Sequence, residues 1–398
     1  MNIRYRPFRN ITNITRYILG SRENGYKRKV EVNENDLSNS DIVTKYRTAA
    51  NIANATLQKL IGEVKPGACV KTLCKIGDDM LAAETGKVYN KKENGRKVDK
   101  GIALPTCISI NEICDNFSPL EKGAVVADGD LVKISLGCHI DGYLGLATHT
   151  VFVGEKVAGK AANVLTAAWN CCEAALREMK VGNSSQNVTK VIEKVAAEYK
   201  CTPLMGYVSH EVKRHVIEGS RFFPSSTRVE EKAESFNFGL NEAYALNVIV
   251  STGEGKAKQT EHKTTIYRTE VQNRYTLKTT LGRAFISQVN SKFPTFPFHI
   301  ASIDDERVLK AGLPEAVRHK LVTPYLVETE KSGELVAHFT FIVLLLTGGT
   351  KKITGAPFTQ QAVCTPEYSI QDEVIKKLLA TSINPKTKKP NKTEDVAK

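Results

Sequence analysis

The sequence lacks any hydrophobic run long enough to cross a lipid bilayer. A membrane-spanning helix needs about 20 consecutive apolar residues, whereas the longest apolar stretch here, residues 339–346, is short and is interrupted by the polar Thr340. This stretch therefore predicts a buried β-strand. The nine cysteines include no Cys-X-X-Cys pair. Their spacing argues against a zinc site and indicates reduced, mostly buried thiols, as in a cytosolic or nuclear protein.

A phosphate-binding loop is also missing. Residues 251–256, with the sequence STGEGK, look superficially like one. They lack the GxxxxGK[ST] spacing, however, and no helical pattern follows them directly. Nucleotide binding is therefore not predicted, and we expect the glycines to turn the chain so that Lys256 and Lys258 project into solvent.

Acidic residues are in deficit. The 398-residue chain has 56 Lys and Arg against 43 Asp and Glu, a formal net charge of +13. Such an excess favours a polyanionic partner such as nucleic acid, although a diffusely basic surface would give the same composition. The distribution supports a partner, because the basic residues concentrate in separate segments. One of these, residues 251–283, contains the predicted RNA-binding residues Lys256, Lys258, Lys263, Arg268, Arg274, Lys278 and Arg283.

Both ends of the chain are basic as well. Residues 1–22 contain five arginines and no acidic residue, and residues 376–398 contain seven lysines. The N-terminal composition fits a mitochondrial transit peptide and equally a basic arm that binds RNA, and the sequence leaves both open. We expect residues 1–40 to form a flexible basic extension and residues 371–398 to form a lysine-rich tail, mobile where it contains proline and lysine.

Hydrophobic periodicity predicts helix pairs that alternate with strands. The predicted helices are residues 41–61, 70–85, 161–179 and 186–199, and the predicted strands lie within residues 131–153 and 243–250. This order suits two related α/β halves packed face to face in one domain, residues 41–370, with an insertion at about residues 274–326. The aromatic and proline-rich residues 293–298 of the insertion are expected to pack on a core rather than to stack on bases.

The most informative segment, residues 130–147, predicts two strands joined by a hairpin turn at Asp141-Gly142, a pair that readily adopts positive φ. The segment resembles the first metal-binding hairpin of the methionine aminopeptidases, where each strand carries an aspartate and both hold a pair of divalent cations. Those two positions are Ser135 and Leu146 here. A hydroxyl is a poor substitute for a carboxylate on a hard cation, and a leucine cannot coordinate one.

The resemblance extends over about residues 41–370 and identifies the other site positions. His210 matches the metal-binding histidine, whereas Asn247 and Thr340 stand where the family has glutamate ligands. Asn116 and Glu218 replace the two pocket histidines. One ligand of five remains, and too few carboxylates are left to offset four positive charges. The resemblance therefore implies a vestigial site with no metal, no cofactor and no catalytic residue.

Within this family the chain resembles the proliferation-associated, ErbB-receptor-binding proteins, which are non-enzymatic homologues of the type 2 methionine aminopeptidases. This narrower resemblance is carried by STGEGKAK at residues 251–258, TTIY at 264–267 and ETGK at 84–87. It implies a monomer with the pita-bread α/β fold and an inserted winged-helix-like subdomain. It further implies ribosomal RNA and large-subunit ribosomal proteins as partners, a cytoplasmic, nuclear and nucleolar location, and roles in ribosome biogenesis, translation and growth regulation.

Three functions are compatible with the sequence. The expected one is binding of structured RNA by the basic segment, without catalysis. In the second, the vestigial pocket binds a peptide, such as a nascent chain or a receptor tail, through Asn116, His210, Glu218 and Asn247 without cleaving it. In the third, the chain is a divergent metallo-aminopeptidase that still uses His210.

Overall fold

The computed structural model describes residues 33–93, 95–228 and 233–383. The expectations for residues 1–32 and for the end of the tail, residues 384–398, therefore lie outside the described residues. The last residues of the predicted extension are packed. Leu37 is buried, and the Tyr143 hydroxyl donates to the carbonyl oxygen of Glu34 at 2.7 Å. The Arg214 backbone N–H donates to Asn35 Oδ1 at 2.9 Å. The prediction of a flexible extension is thus wrong for residues 33–40.

Helices and strands follow the predicted order, and the predicted bounds agree to within about two residues for the helices of the main domain. From the N-terminal side the elements are α1 (Ser40–Glu63), α2 (Val70–Lys87), β1 (Lys100–Ile110), β2 (Leu131–Ile140), β3 (Tyr143–Phe152), β4 (Val157–Ala158), α3 (Gly159–Glu178) and α4 (Ser185–Glu198). Five strands follow: β5 (Thr202–Pro203), β6 (Val208–Glu211), β7 (Phe222–Pro224), β8 (Glu242–Ser251) and β9 (Lys258–Gln259).

The remaining elements are β10 (Ile266–Thr269), α5 (Thr280–Lys292), β11 (Phe298–His299), α6 (Glu306–Arg318), β12 (Val322–Tyr325), β13 (Glu328–Thr329), β14 (Val336–Leu346), β15 (Gly349–Lys352), β16 (Cys364–Thr365) and α7 (Glu373–Ala380). None of the helices in the described part of the chain is long and apolar enough to cross a membrane. All nine cysteines are free thiols, and seven of them are buried.

A nine-stranded sheet forms the centre of the molecule. Its strands lie in the order β1-β2-β3-β14-β8-β6-β7, with β15 beside β14 and β5 beside β8. The predicted buried strand is β14, which is buried along almost its whole length. Helices α1 and α2 share one hydrophobic core with β1, β2 and β3, while α3 and α4 share a second core with β8 and β14. The two α/β halves thus meet along the β3–β14 pairing.

The inserted subdomain has its own small sheet and its own core. Strand β10 pairs antiparallel with both β11 and β12, and α5 and α6 pack beside this sheet around Phe285, Val289 and Phe298. Because β10 is the central strand, the insertion begins at about residue 266, and the predicted start at 274 is wrong. Strand β10 was not predicted because its apolar pattern is short and lies inside the basic segment. The winged-helix-like character stays a prediction.

The aromatic residues of the insertion pack as expected. Phe296 and Phe298 are buried, and the Phe293 ring stacks on Phe298 with 5.3 Å between the ring centroids. The lysine-rich tail, in contrast, starts later than residue 371. Asp372 caps α7 by accepting from the N–H of Val374, and Ile375 is only 2% exposed in the core of α3 and α4. The main domain therefore extends to about residue 383.

Strand β3 and helix α1 approach each other closely at Gly145. A Cβ atom at this position would lie 2.5 Å from the carbonyl oxygen of Ala49 and 2.4 Å from its carbonyl carbon. Backbone atoms in the middle of a helix cannot move aside cheaply, so only glycine fits here. Gly62, near the end of the same helix, has open space around its Cα atom.

We expect Gly145→Ala to lower the free energy of unfolding by about 1–3 kcal/mol or more, because β3 and α1 must separate. Gly62→Ala is the matched control and should raise this free energy by up to about 1 kcal/mol, because alanine favours the helix. Urea unfolding followed by circular dichroism measures both values. Equal effects of the two substitutions would contradict the close approach.

Candidate functional site

A row of polar side chains crosses four neighbouring strands at the centre of the sheet. The register pairs Ser135 with Thr148, Thr148 with Thr340, and Thr340 with Asn247. Two of the strands are positioned by the predicted hairpin turn, in which Asp141 has a φ of 53° and Gly142 a φ of 82°. Both angles match the type I′ turn that the Asp-Gly pair favours. The sheet therefore brings Ser135, Asn247 and Thr340 together as the resemblance implied.

The side chains of this row bond to one another. Thr148 Oγ1 donates to Ser135 Oγ at 3.1 Å, and Ser135 Oγ donates to Asp115 Oδ1 at 3.0 Å. At the other end, Thr340 Oγ1 donates to Asn247 Oδ1 at 3.0 Å. A cation would have to compete with these hydrogen bonds for the same oxygen atoms.

His338 closes the network on the β14 side. Its Nε2 atom lies 2.5 Å from Asn247 Oδ1, an oxygen that can only accept, so this nitrogen carries the proton. The other ring nitrogen, Nδ1, is buried without a hydrogen-bond partner among the described residues. It lies 3.6 Å from Asp115 Oδ2.

Leu146 occupies its predicted place but belongs to the hydrophobic core. It is 5% exposed and packs with Leu144 and Ile342. The strand opposite leaves room for it, since a Cβ atom at Gly137 would lie 2.3 Å from Leu146 Cδ2. The second aspartate position of the hairpin is therefore filled by methyl groups that pack against a glycine.

One buried lysine faces this centre. The Lys133 side chain is fully buried, and its Nζ atom donates to the carbonyl oxygens of Asn111 at 2.6 Å and Val336 at 3.1 Å. Burial lowers the pKa of Lys133 to about 7, against the opposing effect of acidic groups that include Asp115. A buried amine thus lies on the same face of β2 as Ser135, and Asp115 is the carboxylate that bonds to the polar row.

Sequence reasoning missed Asp115, Lys133 and His338. A signal was present for two of them, because successive side chains of a strand alternate between its faces. Lys133 precedes Ser135 by two residues and His338 precedes Thr340 by two, so each shares the face of its neighbour. Asp115 lies in an irregular loop after β1, where no periodicity could indicate its direction.

These residues do not fit a dinuclear metal centre. Divalent cations of this kind require several carboxylate oxygens, and the centre offers one carboxylate, neutral hydroxyl and amide oxygens, and a buried amine. In the part of the chain that the structure describes, no group of three or more His, Cys, Asp or Glu residues could hold a metal ion. No metal-activated water can therefore be derived from this arrangement.

Glu218, which stands at one of the pocket positions, makes an ion pair and a hydrogen bond with residues of the insertion. Its carboxylate accepts from Arg268 Nη1 at 2.6 Å and from the Tyr325 hydroxyl at 2.8 Å, while Arg268 Nη2 also donates to Glu270 at 3.2 Å. Burial would raise the pKa of Glu218, but the Arg268 guanidinium outweighs it and holds this pKa below its usual value. Arg268 is buried. Its prediction as an RNA-binding residue is therefore wrong, because its charge neutralises two internal carboxylates.

The two other pocket positions differ in how their polar groups are used. Asn116, with a φ of 64°, donates from Nδ2 to the carbonyl oxygen of Leu326 at 3.1 Å. His210 lies on β6 opposite Ala245, and its Nδ1 atom is buried without a hydrogen-bond partner among the described residues. Burial lowers the pKa of His210, and the nearby Glu218 opposes this.

The remaining predicted basic residues are exposed. Gly255, with a φ of 73°, turns the chain at the loop of residues 251–258, and its N–H donates to the buried Glu330 carboxylate at 2.9 Å. This anchor leaves the side chains of Lys256 and Lys258 in solvent, as expected from the glycines. The other exposed members of the set are Lys263, Arg274, Lys278 and Arg283.

The chain belongs to the metallopeptidase family M24, whose sequence profile matches residues 44–243. It is similar to proliferation-associated protein A of Dictyostelium discoideum, with 38% identity over 370 residues that cover 92% of this chain and 95% of that protein. ERBB-3 binding protein 1 of Solanum tuberosum is 40% identical over 327 residues, which cover 81% of this chain and 84% of that protein. The predicted resemblance to this group is thereby confirmed.

A solved structure gives the same result for the fold. The structure of a thermophilic Arx1 superimposes with a TM-score of 0.82 at 28% sequence identity, and the match covers 87% of this chain and 100% of that one. Together with the family membership, this confirms the predicted pita-bread α/β fold.

The centre of the sheet makes stability depend on pH. Burial lowers the pKa of His338 to about 4 from its ordinary value of 6.5. Between these values the unfolded chain binds a proton that the folded chain excludes, so the free energy of unfolding increases with pH across this window. Acidification from about pH 7.5 to 4.5 should lower the free energy of unfolding of both proteins. We expect this decrease to be smaller in His338→Gln than in the unaltered chain, by up to about 3 kcal/mol.

Chemical unfolding at both pH values measures this effect, and the value at about pH 7.5 gives the packing cost of the substitution alone. If the substitution changes the free energy of unfolding equally at both pH values, His338 does not contribute to the acid sensitivity.

Proposed function

We propose that this protein is a non-catalytic pita-bread protein that binds structured RNA, namely that of the large ribosomal subunit or its precursors. One observation carries the proposal. The polar groups at the former catalytic centre are bound to one another, whereas Lys256 and Lys258 of the loop at 251–258 and the predicted basic residues of the insertion other than Arg268 are exposed. The function is therefore expected on the surface rather than in the pocket.

The surface chemistry suits RNA. Exposed lysines and arginines neutralise phosphates and release counterions, which gives affinity without base specificity. The A-form helix offers its shape, its phosphates and its 2′-hydroxyls rather than a readable major groove. A loop held from below by the buried Glu330 presents Lys256 and Lys258 at a fixed place, which lowers the entropy lost on binding.

Binding to ribosomal subunits would place the protein in the cytoplasm, where subunits work, and in the nucleus and nucleolus, where their precursors are made. Large-subunit ribosomal proteins would then be neighbours of the bound RNA. A role in ribosome biogenesis, translation and growth regulation follows from such a location. The similarity to proliferation-associated protein A supports the growth-regulation part of this proposal.

Peptide binding in the former pocket ranks behind RNA binding. Of the groups that would recognise a peptide, Glu218 is held by Arg268 and Tyr325, Asn247 by His338 and Thr340, and Asn116 by a backbone carbonyl. Of these four pocket residues, His210 alone has a buried side-chain nitrogen without a hydrogen-bond partner among the described residues. A peptide would have to break ion pairs and hydrogen bonds that the chain already makes.

We expect Lys256→Glu combined with Lys258→Glu to weaken co-sedimentation with purified large ribosomal subunits at moderate salt. The exposed loop carries these side chains, so the melting temperature should stay within a few degrees of the unaltered value. Because two phosphate contacts are lost, the slope of log affinity against log salt should become less steep by about 1–2.

The matched control is Lys190→Glu combined with Lys194→Glu. These two lysines are exposed on α4 and lie outside the predicted basic segments. This control makes the same change in net charge and should bind as the unaltered chain does. An equal loss of binding in both double variants would mean that net charge alone causes the effect. Unchanged binding in both would mean that the loop does not contact the ribosomal subunit.

Peptidase activity is expected to be absent. The purified protein, supplied with Co²⁺ or Mn²⁺ and a Met-Ala-Ser peptide, should release no methionine, because a cation finds one carboxylate at the centre where several are needed. Mass spectrometry of the peptide measures the outcome. Methionine release that is lost in His210→Ala would contradict the proposal and favour a divergent metallo-aminopeptidase.

A further inference from the structure

An exposed aromatic pair lies at the end of the inserted subdomain. The Tyr275 ring stacks on the His319 ring with 3.9 Å between the centroids and an angle of 10° between the planes. Tyr275 belongs to the loop between β10 and α5, and His319 follows the last residue of α6. Tyr275 remains 41% exposed despite this contact, so its ring keeps surface in solvent.

The loop that carries Tyr275 is fixed on one side to α6 and on the other to the residues that follow this helix. Asn273 Nδ2 donates to the carbonyl oxygen of Lys320 at 2.7 Å. Glu315 accepts from the N–H of Lys278 at 3.1 Å and from Thr279 Oγ1 at 2.6 Å. The aromatic pair is therefore held in one arrangement before any ligand binds.

Positive charge surrounds this pair along the chain. Arg274 and Lys278 flank Tyr275, Arg318 and Lys320 flank His319, and all four side chains are exposed. Two acids nearby in the sequence bond within the subdomain: Glu270 with Arg268 and Thr323, and Glu315, whose carboxylate stays at the surface, with the loop. Arg318 also suits the negative end of the α6 dipole, but Arg274 and Lys278 lie outside that helix.

An exposed aromatic ring among cations matches the chemistry of an unpaired nucleotide. Every base can stack on an aromatic face, and the neighbouring phosphates pair with lysine and arginine. In double-stranded RNA the bases are already stacked on one another, so only a loop, bulge or end can use such a ring.

We propose that Tyr275, supported from below by His319, is a stacking platform for an unpaired base of RNA, with Lys278, Arg318 and Lys320 contacting the flanking phosphates. This inference rests on the proposed RNA-binding function and adds a second element to it. The loop at 251–258 binds phosphates without regard to pairing, whereas the Tyr275 platform selects single-stranded segments.

The test compares two fluorescently labelled probes, a single-stranded RNA of ten uridines and a blunt RNA duplex, with the full chain. Tyr275→Ala should bind the single strand roughly tenfold more weakly, as is typical for the loss of one base stack, and should bind the duplex unchanged. Tyr275→Phe keeps the ring and should stay within about twofold of the unaltered chain.

Leu281→Ala is the matched control, since Leu281 is also 41% exposed and lies in the first turn of α5 of the same subdomain. It should leave binding of both probes unchanged. Single-strand binding by Tyr275→Ala that equals that of Leu281→Ala would overturn the platform, as would a loss in Tyr275→Phe as large as that in Tyr275→Ala.

The platform and the proposed function fail in different ways. If the unaltered chain co-sediments with large subunits and Tyr275→Ala binds the single strand normally, only the platform is wrong. If the unaltered chain binds neither the subunits nor either RNA probe, the RNA-binding function itself is overturned, and the platform with it.

Discussion

Charge balance in the buried centre of the sheet is the constraint on which the rest of the arrangement depends. A carboxylate removed from water must be matched by a cation or by hydrogen bonds, because an uncompensated buried charge costs several kcal/mol. At this centre the matching groups come from the chain itself. Asp115 accepts a hydrogen bond from the Ser135 hydroxyl, Lys133 brings a buried amine to the same face of the sheet, and the oxygens of Asn247 and Thr340 are neutral. Ser135, Asn247 and Thr340 carry no charge, so they add no negative charge that the buried centre would have to neutralise.

The same constraint fixes the insertion to the main domain. Glu218 is buried, and the guanidinium that neutralises it belongs to β10 of the insertion. The contact is reinforced where Thr265 Oγ1 donates to the carbonyl oxygen of Ser118 at 2.7 Å. An arginine that the sequence suggested as a surface cation is therefore the internal connection between the two parts. Because the connection is charged on both sides, it orients the insertion more specifically than apolar packing alone would.

Sequence reasoning succeeded where a pattern is local and failed where a contact is distant. The Asp141-Gly142 turn determines the register of β2 and β3, so the neighbourhood of Ser135 and the position of Leu146 could be predicted. The direction of Arg268 could not, since it depends on Glu218, fifty residues away in the chain. The start of the insertion was missed for a similar reason. β10 is four residues long and is stabilised by partners at β11 and β12, which lie far along the sequence.

Polar groups are used differently inside the sheet and on the surface of the protein. Hydrogen bonds and ion pairs inside the sheet use nearly every group that could have held a metal or a peptide. These bonds stabilise the fold and leave few groups available for a ligand.

On the surface the charged and aromatic groups stay available, and neutral groups make the internal bonds. In the loop at 251–258 a backbone N–H donates to Glu330, and the ammonium groups stay in water. In the loop at 273–279 the amide of Asn273 and the hydroxyl of Thr279 bond to α6 and to the residue pair after it, while Tyr275 stays exposed. Both loops use neutral groups for anchoring and keep charged or aromatic groups for contact. Such a division is expected of a surface that binds a large, charged partner, because anchoring reduces the conformational entropy that binding must otherwise remove.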